Sequence, residues 1–224
     1  MATLFDVRDD TAALDALQQS VAALQRGEIL VVPTDTVYGV AASPQVPGAI
    51  ERLVAVKGRD LSSPPPILVA GFDQLPAIVA TDLQNESVQT LLHHFWPGAL
   101  TVILPTQPEV AQVVGDANGT VAVRMPNEPV LLELLRIHGP LAVTSANRTG
   151  EPPCDSAYSA LNVFGDRVAV YWDGGPRGEG AVQVASTIID LTSLVKGDPT
   201  VRIIRPGAVT REDIQRVLPE VTVS

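Results

Sequence analysis

Glu28-Ile29-Leu30-Val31-Val32, followed by Pro33-Thr34-Asp35-Thr36-Val37-Tyr38-Gly39, decide the fold. The first stretch is too short for a helix and too apolar for a strand with one wet face, so it reads as a buried strand. The second gathers two hydroxyls, a carboxylate and a phenol where the chain must turn. A helix is expected over 47–57, opened by Pro47 and closed by Gly58, with Ile50, Leu53 and Val54 inward. Upstream, residues 11–26 place Leu14, Leu17, Val21 and Leu24 on one helical face, with Gly27 as the stop.

The pattern continues outward. Strands are expected in ILVAG (67–71), ALTVIL (99–104), TVAVRM (120–125), PLAVTSA (140–146), residues 168–172, VASTIIDL (184–191) and TVRIIR (200–205). Helices are expected from the Asn85 cap to Phe95, over 128–138 and 155–164, and after Thr210. Strands alternate with helices early and follow one another late. That predicts an α/β sheet of mixed direction rather than a purely parallel one. No linker divides the chain, so a single domain over 1–224 is expected.

Composition narrows the function. The 224 residues are 46% hydrophobic, enough for a sizeable core. No apolar run approaches the ~18–20 residues of a membrane span, and MATLFDVRDD lacks a signal-peptide pattern, so the cytoplasm is the expected compartment. Cys154 is the one cysteine, and His93, His94 and His138 lack metal-ligand spacing, which disfavours a Cys- or His-based metal site. A net charge of −10 argues against non-specific coating of nucleic acid. It still permits a local basic pocket. Of the 15 basic residues 13 are arginine, so Lys57 stands out within Lys57-Gly58-Arg59.

Polar clusters follow the strands at the loop positions where α/β sheets bind ligands. Lys57 and Arg59 are either favourable charge at a helix end or cations aimed at phosphates. In TVAVRM, Val121 and Val123 point to the core, and Thr120, Ala122 and Arg124 share the other face. A guanidinium there needs an anion or acceptors. Thr144-Ser145-Ala146-Asn147 follows another strand. The stretch DGGPRGEG (173–180) matches no phosphate-loop pattern and reads as a hairpin or lid. No serine has a His and Asp relay in sequence, and Cys154 has no obvious base, so covalent catalysis is disfavoured. Hydroxyls, amides and arginines at loop positions suit phosphoryl-type transfer by positioning and charge neutralisation.

PTDTVYGVAA, KGRD…PPPILV, FWPGALTVIL, TVAVRMPNEP, PLAVTSANRTGEPP, DGGP…STIID and IRPG occur in this order over about residues 10–215. Together they resemble the YrdC-like (TsaC-type) family of threonylcarbamoyl-adenylate synthases, in the short form without an extra C-terminal domain. The resemblance implies an open, twisted mixed sheet flanked by helices, with a concave ligand cavity. It implies synthesis of threonylcarbamoyl-AMP and pyrophosphate from L-threonine, bicarbonate and ATP, with Mg2+ accompanying ATP, for tRNA modification. Thr36, Arg124, Val143 and Ser186 match the family's threonine contacts, with Arg124 on the amino-acid carboxylate and Val143 contributing backbone. Arg59, Ser63, Thr120, Ser145, Asn147 and Arg205 match nucleotide positions, and Lys57 and Arg59 are the candidate catalytic residues.

Four positions depart from the family pattern: Ser63 for an Asn, Leu68 for a His, Pro153 for a Ser and Ala185 for a Glu. The alternatives are a YciO-type paralogue with altered activity, or a double-stranded RNA- or tRNA-binding module on the same fold. Expected partners are the small-molecule substrates, the other proteins of the tRNA threonylcarbamoyl pathway, and tRNA or double-stranded RNA bound weakly, with no membrane. Arg59 and Arg205 are expected to converge on one cavity whose surface is locally positive.

Overall fold

The computed structural model describes residues 2–58, 64–80, 83–115, 118–177 and 184–224. Its strands are β1 (Thr3–Asp6), β2 (Leu30–Val32), β3 (Gly39–Ala42), β4 (Ile67–Leu68), β5 (Leu100–Pro105), β6 (Thr120–Arg124), β7 (Leu141–Ser145), β8 (Val170–Asp173), β9 (Thr187–Asp190), β10 (Thr200–Arg205) and β11 (Thr222–Val223). The helices are α1 (Asp10–Gln25), α2 (Ala49–Val56), α3 (Glu86–Phe95), α4 (Pro108–Val114), α5 (Pro129–His138), α6 (Ala157–Phe164) and α7 (Arg211–Val217). The strands form one open sheet in the order β1-β8-β2-β3-β7-β4-β6-β5-β9-β10-β11.

The sheet is mixed, as expected. Pairs such as β2/β8, β4/β6 and β5/β9 are parallel, while β2/β3, β3/β7, β5/β6 and β9/β10 are antiparallel. The expected hairpin at 173–180 is overturned. That stretch leaves β8, which lies between β1 and β2, and the chain reaches β9 across the sheet between β5 and β10. Whether the stretch is a lid falls on residues 178–183, outside the described ones.

Local signals explain most elements. Asp9 caps α1 by accepting from Ala12 N, and Asn85 caps α3 by accepting from Val88 N. Thr210 opens α7 with a capping box shared with Asp213. The buried stripe of α1 runs through Ala16, Leu17, Ser20, Ala23 and Leu24. Leu14, assigned to that stripe from the sequence, is instead 63% exposed because it falls on the flank. Helix α2 starts two residues later than Pro47, since Gly48 sits at φ +78, outside the helical region. In β6 the alternation holds, with Val121 and Val123 buried on the face opposite Ala122 and Arg124. Trp172, Tyr171, Tyr38 and Phe164 are the bulkiest fully buried side chains, and Trp172 Nε1 donates to Ser20 Oγ at 2.9 Å.

Candidate active site

The loop after β2 and the strands β4, β6, β5, β9 and β10 enclose a cavity of about 630 Å³. Cross-strand register builds its floor. Leu68 pairs with Arg124, Ala122 with Ile103, and Thr101 with Ile188, each pair sharing one face of the sheet. Strand β10 carries a bulge. Ile203 pairs with Ile189 and Arg205 with Ile188, leaving Ile204 as the extra residue. Strict alternation would send Arg205 to the far face, and the bulge lets both Ile204 and Arg205 line the cavity.

Arg124 is 6% exposed. Its Nη2 donates to Asp35 Oδ1 at 2.6 Å, Nη1 to Thr36 Oγ1 at 3.0 Å and Nε to Gly98 O at 2.9 Å. The sequence required acceptors for this guanidinium, and the chain itself supplies three. Burial lowers the guanidinium's hold on its proton while Asp35 opposes that shift, and the group stays charged. Thr34 Oγ1 donates to Val37 O at 2.6 Å and accepts from Thr36 N and Val37 N, both at 3.2 Å. Thr34 thus caps the turn with its own side chain. With that proton committed, Thr36 is the donor in the 3.0 Å Thr34–Thr36 hydroxyl contact, and its oxygen accepts from Arg124.

A second cluster joins residues far apart in the chain. Lys57, the C-cap of α2, is 3% exposed. Its Nζ donates to Ser145 O and, at 3.0 Å, to Asn147 Oδ1. Ser145 Oγ donates to Asn147 Oδ1 at 2.6 Å, and Asn147 Nδ2 donates to Arg148 O and Glu151 O. A third cluster holds Arg205, whose Nη2 donates to Ser186 O at 2.6 Å and Ser186 Oγ at 3.1 Å. Ser186 Oγ lies 2.9 Å from Thr101 Oγ1. Burial and then the nearby Arg124 charge lower the Arg205 guanidinium's hold on its proton. Lys57, Arg124 and Arg205 line the cavity, and among the described lining residues there is no carboxylate. Three cations thus line the described wall in a chain of net charge −10, and one of them, Arg124, is already paired with Asp35.

Of the residues singled out from the sequence, Thr36, Lys57, Arg124, Val143, Ser145, Asn147, Ser186 and Arg205 meet here. Val143 N already donates to Pro66 O at 2.9 Å, so a ligand would meet the residue's carbonyl or side chain rather than its N–H. Thr120 does not line the cavity. It pairs with Pro105 one step beyond Ala122 on the same face. Arg59 and Ser63 lie outside the described residues, so the convergence of Arg59 with Arg205 does too. Leu68, Pro153 and Ala185 all stand on the wall. Sequence reasoning missed Thr101 and Gly98. Both lie within FWPGALTVIL, a motif of the resemblance, but neither residue type there pointed to a role of its own.

A larger crevice of about 740 Å³ lies at the starts of β1, β2 and β8. Of its arginines, Arg26 pairs with Glu28 at 2.7 Å, and the other two are held by main chain: Arg52 Nη1 donates to Gly27 O, and Arg167 donates to Phe164 O and Val163 O. They cap the carbonyl ends of helices, which accounts for them without a ligand. Among the described residues, no group of three or more His, Cys, Asp or Glu could hold a metal ion. No helix among them is long and apolar enough to cross a membrane.

The Sua5/YciO/YrdC family model, described as telomere recombination, matches residues 22–207. The chain is 39% identical over 218 residues to a Mycobacterium tuberculosis protein named putative threonylcarbamoyl-AMP synthase, covering 97% of this chain and 96% of that one. It is 36% identical to the threonylcarbamoyl-AMP synthase of Bacillus subtilis, over 95% of this chain and 60% of that one. The structure of Pyrococcus abyssi Sua5 complexed with L-threonine matches with a TM-score of 0.85 and 30% identity, over all of this chain and 62% of that one. The chain thus spans about three fifths of that Sua5 chain. E. coli YciO, at 22% identity and a TM-score of 0.76, shares the fold. With the family model spanning most of the sequence and such relatives covering it nearly end to end, the chain belongs to the Sua5/YciO/YrdC family.

Proposed function

We propose that the protein is an L-threonylcarbamoyladenylate synthase, a nucleotidyltransferase acting on L-threonine, bicarbonate and ATP. The observation that carries this reading is the cavity itself: three cations and a set of hydroxyls on one concave face, with no carboxylate among its described lining residues. Threonine's amine takes up the carbon of bicarbonate as a carbamate, releasing water. A carbamate oxygen then attacks the α-phosphorus of ATP, and the bond to pyrophosphate breaks. No protein nucleophile enters. This suits Cys154, which is buried with its thiol pushed up by burial.

The chain's own groups divide the work. Arg124, Thr36 and Ser186 hold the amino acid. The Arg124 fork presents its remaining N–H groups to the carboxylate. Lys57, Ser145, Asn147 and Arg205 hold the nucleotide, with Lys57 and Arg205 neutralising charge on the phosphates. Arg59, Ser63 and Thr120 are proposed for the same nucleotide on the resemblance alone. Mg2+ would enter on the triphosphate and neutralise it. The described wall offers hydroxyls but no carboxylates, so phosphate oxygens and water would supply most of its ligands. The product is a mixed anhydride, so the proposed partner is a protein that passes its acyl group to an adenosine amine of tRNA. The test is pyrophosphate release from ATP, with L-threonine and bicarbonate each omitted in turn. Release that needs both supports the reading, and release indifferent to threonine overturns it.

A further inference from the structure

The motif Asp173-Gly174-Gly175-Pro176-Arg177 has no place in the chemistry above, yet it is bound closely to the loop that carries Thr36. Arg177 makes the main tie. Its Nε donates to Thr34 O at 2.7 Å, Nη1 to Gly174 O at 2.8 Å and Nη2 to Glu128 Oε2 at 2.6 Å. The guanidinium also lies over the Tyr38 ring, 5.7 Å from its centroid. Tyr38 OH donates to Gly175 O at 2.7 Å and accepts from Gly174 N at 3.1 Å. The glycines are needed here. A Cβ on Gly174 would come within 2.9 Å of Pro33, and Gly175 stands at φ +86. Asp173 Oδ1 accepts from Gly175 N and fixes the turn.

These contacts join three segments separated in the chain: the loop after β2, the loop after β8 and the N-cap of α5. The tie leads straight into the amino-acid site. Arg177 holds the carbonyl of Thr34, Thr34 Oγ1 meets Thr36 Oγ1, and Thr36 Oγ1 accepts from Arg124. Only one hydrogen-bonded residue therefore stands between Arg177 and the Thr36 hydroxyl.

We propose that Arg177 is a positioning residue for the amino-acid substrate, acting through Thr34 to set the Thr36 hydroxyl against the Arg124 guanidinium, with Glu128 orienting Arg177. The role given to Thr36 and Arg124 rests on the synthase reading. A planar fork with donors on three sides can serve Thr34 O, Gly174 O and Glu128 at once, and an ammonium on a flexible stem cannot hold the same three in fixed geometry. Side chains bonded in series couple, so the effect belongs to the Arg177–Thr36 pair.

The test compares Arg177→Lys, Thr36→Ala and the double variant in the full chain. The readouts are KM for L-threonine, KM for ATP and kcat from pyrophosphate release, together with the Arg124 Nε–H resonance in NMR spectra. Arg177→Lys is expected to raise KM for L-threonine about tenfold, leaving KM for ATP within about twofold. In the Thr36→Ala background the same substitution should change KM for L-threonine by less than about threefold. The Arg124 Nε–H signal, held at Gly98 O, should move in Arg177→Lys. Glu128→Gln should reproduce the defect more weakly. Equal losses in every parameter, or full multiplication of the two effects, would overturn the proposal. So would an unmoved Arg124 signal, which reads the geometry even if the wild-type chain releases no pyrophosphate. That last finding would refute the synthase reading on its own.

Discussion

Asp35 and Arg124, 89 positions apart, form a 2.6 Å ion pair with side chains 15% and 7% exposed. The guanidinium proposed to bind an amino-acid carboxylate thus already faces one from its own chain. The pair does two things. It offsets the cost of burying a cation before any ligand arrives. It also fixes the guanidinium plane, together with Gly98 O and Thr36 Oγ1, so that the remaining donors have a set direction.

Arg124→Lys therefore has two expected consequences. An ammonium cannot serve Asp35, Thr36 and Gly98 in one plane. KM for L-threonine should rise at least tenfold, in line with about 1.5–3 kcal/mol for a charge-assisted contact. The three internal acceptors, left without a planar donor, also predict a Tm lower by several degrees. Steady-state kinetics and calorimetry check the two separately. An unchanged KM would remove Arg124 from the substrate site.

Lys57→Met probes the other end of the cavity. The ammonium is buried and donates to Ser145 O and Asn147 Oδ1, and Met matches its stem in length. Both acceptors keep another donor when the ammonium is removed, Asn147 N for Ser145 O and Ser145 Oγ for Asn147 Oδ1, so the cost in stability is small. The expected result is a Tm within a few degrees of wild type and ATP affinity weakened at least tenfold, read by calorimetric titration. Weakened threonine binding with intact ATP binding would exchange the two assignments.

The β10 bulge gives a register test. Deleting Ile204 regularises the strand and still places the arginine opposite Ile188 on the cavity side. ATP affinity should therefore fall less in the Ile204 deletion than in Arg205→Ala. The reverse order would show that Ile204 matters more to the nucleotide than the Arg205 charge.

Asp190 sets a pH dependence. Burial alone would raise its carboxyl, but the Thr192 hydroxyl at 2.6 Å, the Thr192 amide at 2.9 Å and Arg202 outweigh that and hold it below its ordinary value. A depressed carboxyl stabilises the fold above its unfolded pKa, about 4, and that stability is lost as pH falls through the folded value. Asp190→Asn should unfold at lower urea than wild type near neutral pH, with the gap closing in acid. A gap that widens in acid would reverse the sign.

Much was legible in the residues themselves because the signals are local. The caps Asp9, Asn85 and Thr210 act within one turn, and the buried strands at 30–32 and 141–145 are short apolar runs. The alternation in 120–124 put Arg124 on the right face without any structure. The order of polar motifs pointed to the family and to eight residues that do meet in the cavity. Tertiary structure alone decided the rest. The partners of Arg124 come from the loops at Asp35, Thr36 and Gly98, and nothing in a sequence states which acceptor a buried donor will reach. The bulge that turns Arg205 inward depends on β10 pairing with β9, since no residue type requires an extra residue there. DGGPR looked like a hairpin because glycines mark turns whatever they connect. Only the separation of β8 from β9 in the sheet shows that its described residues are instead packed against Pro33, Thr34 and Tyr38. Local propensity sets elements and caps, whereas the acceptor of each buried charge depends on which distant strands become neighbours.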